Sequence, residues 1–114
     1  MKQITKSETY KYKNSDKCIA DIFELGDKDI DFSTAIIRGR YPETGYCVNE
    51  NVKELIFVLA GRGVLISKTQ KIKFKKGDAI LVDKNEPYYW QAHCRVAMVC
   101  TPAWTPEQHK LVND

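Results

Sequence analysis

Glu54 heads the uninterrupted apolar run Leu55-Ile56-Phe57-Val58-Leu59-Ala60, and that position gives its carboxyl a chance to do proton chemistry. A carboxyl carried inside by such a run loses hydration, which disfavours the charged form and raises its pKa. It then serves as a general acid or base. The alternative is a strand-end Glu that reaches solvent beside Lys53. Of the four cysteines, Cys18, Cys47, Cys94 and Cys100, the two expected inside, Cys47 and Cys100, become nucleophiles only beside a positive charge that favours the thiolate, and the sequence places no obvious cation inside. They read as reduced, buried and inert, because no export signal accompanies them and a core of this size needs no staples. His93 and His109 are not at i, i+4 spacing, and C-x-x-C, G-x-S-x-G, G-x-G-x-x-G and P-loop sequences are all absent.

Short runs of Val, Ile, Phe and Tyr, broken at close intervals by Gly, Pro, Asn and Asp, must position these groups. That pattern predicts an all-β sandwich or barrel of antiparallel strands. The expected strands are 18–25, 32–38, 46–49, 54–60, 63–68, 70–74, 79–82, 88–92 and 95–101. Gly61-Arg62-Gly63 and Lys68-Thr69-Gln70 read as tight hairpin connections, and Gln91-Ala92-His93-Cys94 as a turn that leaves His93 exposed. The run 55–60 does not alternate, so both faces of its strand are expected to be buried, the outer one by a covering segment or a second subunit. Lys71, Lys73 and Lys75 alternate with Ile72 and Phe74 and form a solvated face that discourages edge pairing. Thr105-Pro106-Glu107-Gln108 carries helix-start signals and predicts a short terminal helix or turn bearing His109 and Leu111.

With 114 residues, 43% of them hydrophobic, the chain has room for one domain: a lead-in over 1–17, a barrel over 18–101 and a tail over 102–114. No apolar stretch is long enough to span a bilayer as a helix, and the chain reads as cytoplasmic. A formal charge of only +3 argues against a dedicated nucleic-acid binder, which must neutralise several phosphates at once. If Glu54 points inward, so do Ile56 and Val58; on the last strand, Arg95 and Thr101 facing out would turn Val96, Met98 and Cys100 in.

The stretch Gly45-Tyr46-Cys47-Val48-Asn49-Glu50-Asn51-Val52-Lys53-Glu54, six apolar residues and Gly61 together resemble the first motif of the cupin superfamily, in which H-x-H precedes a Glu seven residues before a Gly. Residues 77–90, from Gly77-Asp78 through Glu86-Pro87 to Tyr88-Tyr89-Trp90, are similar to the second motif, a G-D strand and a turn followed by a P-H pair. The resemblance covers roughly residues 35 to 104 and implies a small single-domain jelly-roll barrel, or double-stranded β-helix. Its metal-binding members gather two His, a Glu and a further His inside the barrel; here those places hold Cys47, Asn49, Glu54 and Tyr88. Only the Glu is kept, and an Asn amide or a neutral phenol is a poor ligand for a first-row divalent metal.

The resemblance also turns Cys47, Asn49, Tyr88 and Trp90 inward. The expected site is therefore an apolar and aromatic pocket with Cys47, Asn49, Glu54, Tyr88, Trp90 and Cys100 as ligand-binding residues, fit for a small organic molecule such as a sugar or a carboxylic metabolite. No obligatory metal is expected. The enzyme alternatives are metal-free isomerisation or epimerisation with Glu54 and Tyr88 as acid and base, or a dioxygenase or isomerase reaction at an atypical divalent metal held by Cys47 and Glu54. Trp104 and His109 lie in a tail that either caps the cavity mouth or simply packs. Cupins commonly pair through outer strands, so a homodimer is expected, with the strand near 18–25 of one copy covering 55–60 of another.

Overall fold

The structure, a computed structural model, describes residues 1–113. Nine strands build it: β1 (Tyr10–Ser15), β2 (Cys18–Phe23), β3 (Asp31–Tyr41), β4 (Tyr46–Asn49), β5 (Lys53–Ser67), β6 (Lys71–Lys75), β7 (Ala79–Val82), β8 (Tyr88–Thr101) and β9 (His109–Val112). Every pairing is antiparallel. One path runs β1-β2-β3-β8-β4-β9, while β5 pairs with β6, β7 and β8, so the sheet rolls up into the expected all-β jelly-roll barrel. Among the described residues no helix is long and apolar enough to cross a membrane.

Two pairs of expected strands are in fact single long ones. β5 runs straight through Gly61-Arg62-Gly63, and β8 through Gln91-Ala92-His93-Cys94, pairing with each other from Lys53↔Thr101 to Ser67↔Tyr88. The two glycines are there because the β8 backbone comes too close for a side chain. A Cβ at Gly63 would lie 2.2 Å from the Ala92 Cβ, and one at Gly61 (φ +79°) 2.1 Å from the His93 carbonyl oxygen. His93 is exposed as expected, but from a strand and not from a turn. A register shift between Val58 and Ala60 bends the ladder, and extra residues of this kind let a long ribbon curl.

The segment expected as a lead-in carries β1, an alternating Tyr-Lys-Tyr-Lys strand that pairs with β2. The expected short terminal helix or turn is a single 3-10 turn at Pro106–Gln108, but His109 and Leu111 lie beyond it on β9, which pairs with β4 from Tyr46↔Val112 to Asn49↔His109.

Alternation sorts the side chains. Ile56, Val58 and Val96 are completely buried on the inner face, each such burial stabilising by about 1.5 to 3 kcal/mol. The expectation for the outer face of 55–60 fails within one chain. Leu55 and Phe57 are 47% and 46% exposed, and Leu81, paired with Leu55, is 59% exposed. Within the chain β2 does not cover them; it pairs with β1 and β3. Lys71, Lys73 and Lys75 are all exposed.

Candidate functional site

The inner ends of the strands leave a cavity of about 70 Å³ whose lining includes Asn49, Glu54, Tyr88, Trp90 and Cys100. Glu54 and Tyr88 stand at opposite ends of the β5/β8 ladder, and the curl of the ribbon brings them together. The Tyr88 hydroxyl donates to Glu54 Oε1 at 3.1 Å, and the Cys100 thiol points at Oε2 from 3.5 Å. No lysine or arginine lines the cavity. Burial therefore dominates at Glu54 and raises its pKa; the two donors oppose that shift only in part, and the nearby Asp31 charge adds to it. Burial likewise holds the Tyr88 phenol well above its ordinary range, so both groups ionise less readily than they would in water.

A pH signature follows. The folded state holds the Glu54 proton to higher pH than the unfolded chain does, so stability from this group is complete below about 4.5 and falls as pH rises through the folded pKa. The slope is at most about 1.4 kcal/mol per pH unit. Glu54→Gln copies the protonated carboxyl, so denaturant titrations should show this variant gaining on the wild type as pH rises from about 4.5 through the folded pKa. Parallel curves across that range would mean that Glu54 ionises normally.

Cys47 is brought to the same region but does not line the cavity. It is wholly buried, and its thiol donates to the Tyr88 carbonyl at 3.3 Å. Burial raises all four thiols, Cys94 to about 11, Cys18 to about 12 and the other two beyond, so none is a thiolate at neutral pH.

Asn49 is an anchor for the tail. Its Oδ1 accepts from Trp104 Nε1 at 3.2 Å, Gln108 Nε2 at 3.0 Å and His109 Nδ1 at 2.8 Å. Trp104 and His109 thereby become part of the cavity wall, with the Trp104 ring edge-on to Tyr12 at 5.3 Å and its backbone N–H on Asp31. Ligand pockets are commonly about 300 to 1,000 Å³. At about 70 Å³ this one is smaller, with Trp104 and His109 of the tail in its wall.

The wall residues that escaped the sequence reading include Tyr12, Asp31 and Tyr41. The β1 alternation carried a signal for Tyr12. Asp31 and Tyr41 sit at the two ends of β3, and only their register with Cys100 and Trp90 turns them inward.

The four places that hold a metal in metal-binding cupins do not suit one here. The Asn49 oxygen is already taken by three N–H donors, the Cys47 thiol faces a carbonyl, and the Tyr88 phenol keeps its proton. Among the described residues no group of three His, Cys, Asp or Glu side chains is arranged to hold a metal ion.

No family model and no curated protein sequence matches the chain. Solved structures do. The protein is similar to Pac13, described as a unique nucleoside dehydratase, with a TM-score of 0.87 at 14% identity over 99% of this chain and 92% of that one. Streptomyces Pac13 carrying a substituted tyrosine has also been solved with uridine. The polyketide cyclase RemF from Streptomyces resistomycificus superposes with a TM-score of 0.73 at 16% identity, covering 98% of this chain and 85% of that one. An RmlC-like cupin from Shewanella frigidimarina gives 0.69 at 10% identity, over 85% and 86% of the two chains.

Proposed function

We propose that this chain, a cupin by fold, binds a small, neutral, hydroxylated organic molecule in its barrel, a sugar or a nucleoside, without an obligatory metal. The observation that carries the reading is the cavity's charge balance: a buried carboxyl faced by a phenol and a thiol, with no cation in the wall. A carboxylic ligand would bring a negative charge up to the Glu54 and Asp31 carboxyls with no cation in the wall to offset it, which makes the neutral class the better fit. Hydroxyl groups, by contrast, both donate to and accept from such a wall, and Trp90 and Trp104 offer faces to a ring. The likeness to Pac13 with uridine supports the same class.

Glu54 and Tyr88 also have what a metal-free proton transfer needs. One can hand a proton to a ligand oxygen while the other accepts one, the division of labour behind isomerisation and elimination.

Thermal unfolding of EDTA-treated protein with uridine and with ribose tests the proposal. At a hundredfold excess over Kd, a true ligand stabilises by about 2.7 kcal/mol, a shift of several degrees. The shift should shrink in Tyr88→Phe and Glu54→Ala and persist in Lys73→Ala. A response that vanished with EDTA and returned with a divalent metal would overturn the metal-free reading.

The same reading includes a homodimer built on the open outer face of Leu55, Phe57 and Leu81, too apolar to be left to water without reason. Sedimentation should find a dimer at micromolar concentration that Phe57→Lys converts to monomer. A wild-type monomer there would remove the dimer from the proposal.

A further inference from the structure

Tyr41 and His109, from the end of β3 and the start of β9, touch across the cavity wall: the Tyr41 hydroxyl lies 3.0 Å from His109 Nε2, and the two rings are within 8° of parallel. Which atom carries the hydrogen can be deduced from the neighbours. The Asn51 backbone N–H donates to Gln108 Oε1, so the other end of that amide, Nε2, is a donor toward Asn49. The Trp104 indole N–H can only donate, and it faces the same Asn49 atom. That atom is therefore the carbonyl oxygen, and His109 Nδ1, 2.8 Å from it, must carry a hydrogen. In the neutral ring Nε2 is then left with a lone pair, and Tyr41 donates to it. Burial, which lowers the His109 pKa, favours the same neutral form.

We propose that Tyr41 and His109 form a second proton-transfer couple on this cavity, one that works on a ligand hydroxyl. The hydroxyl donates to the Tyr41 oxygen; as its O–H bond breaks, the Tyr41 proton passes to His109 Nε2. The electron pair stays on the ligand oxygen, and Asn49 Oδ1 keeps its hydrogen bond to Nδ1–H of the imidazolium. Tyr41 is the residue that meets the ligand and His109 the proton acceptor behind it. A cavity walled by this couple and by Glu54–Tyr88 can take a proton from one ligand oxygen and give one to another. This assignment rests on the cavity being a ligand site, and it narrows the occupant to a molecule with at least two oxygen functions.

Nitrogen-15 NMR of the imidazole rings in the full chain tests the couple first without any ligand. The expected His109 is neutral at pH 7 with the hydrogen on Nδ1, and Tyr41→Phe should move its Nε2 resonance while the amide spectrum of the barrel is retained. An Nε2–H tautomer, or an Nε2 signal indifferent to Tyr41→Phe, overturns the inference whatever the ligand. Uridine is the second probe. It should shift Nε2 in the wild type and bind roughly tenfold more weakly to Tyr41→Phe, the usual effect of one lost hydrogen bond. Uridine that binds, with binding weakened by Tyr88→Phe, yet leaves His109 unmoved would sink the couple and spare the proposed function. Failure of uridine and ribose to bind at all would count against the proposed ligand class, and the ligand-free spectra would then decide the couple on their own.

Discussion

Replacing Asn49 with alanine is expected to cost the fold about 3 to 5 kcal/mol, because three N–H donors lose their acceptor at once and each buried, unpaired donor costs about 1 to 3 kcal/mol. Water relieves part of that cost only by entering between β4 and the tail. The damage should therefore be local first: amides of residues 104–112 lose hydrogen-exchange protection, while the inner face of β5 and β8 keeps its own. Asn49→Asp retains an accepting oxygen at the same place and should be distinctly milder. If Asn49→Ala cost less than about 1 kcal/mol by denaturant titration, the tail would have to be held by its pairing with β4 and not by this side chain.

The second large effect is expected at Gly63. A methyl group there would lie 2.2 Å from the Ala92 Cβ and 2.7 Å from its Cα, so the two longest strands would have to separate at the middle of their ladder. Overpacking commonly costs about 1 to 3 kcal/mol, and a clash that involves backbone belongs at or above the top of that range. Gly63→Ala should therefore unfold at markedly lower denaturant concentration. Pairing it with Ala92→Gly removes the side-chain half of the clash, so the double variant should recover part of the loss, a coupling that a double-mutant cycle measures directly. Additive losses would show that the two positions do not meet.

Gly63 also shows what a single sequence reveals and what it hides. Glycine between two apolar runs signals a turn, and only the presence of a partner strand distinguishes a turn from a place where backbones nearly touch. The strands themselves were legible because their alternation is local; their continuity through Gly61-Arg62-Gly63 and Gln91-Ala92-His93-Cys94 was not, because it depends on pairing between residues 53–67 and 88–101. The site divides in the same way. Glu54, Asn49, Tyr88 and Trp90 were found from motif spacing and strand parity, and all four line the cavity. Cys47 shares their motif but is drawn off to the Tyr88 carbonyl. Tyr41 and Asp31 carry no local mark of their role: β3 was expected at 32–38, and both residues belong to the ends that the structure adds.

The bent ladder has one further implication. Since Glu54 and Tyr88 close on each other from the two extremities of one paired ribbon, their contact joins parts of the chain that no short-range event can bring together. Such distant pairings come slowly, after the entropy of closing a long loop has been met. The cavity would then be among the last features completed as the protein is made, and a molecule bridging those two side chains would act as a clasp on the finished coil, slowing its opening more than it speeds its assembly.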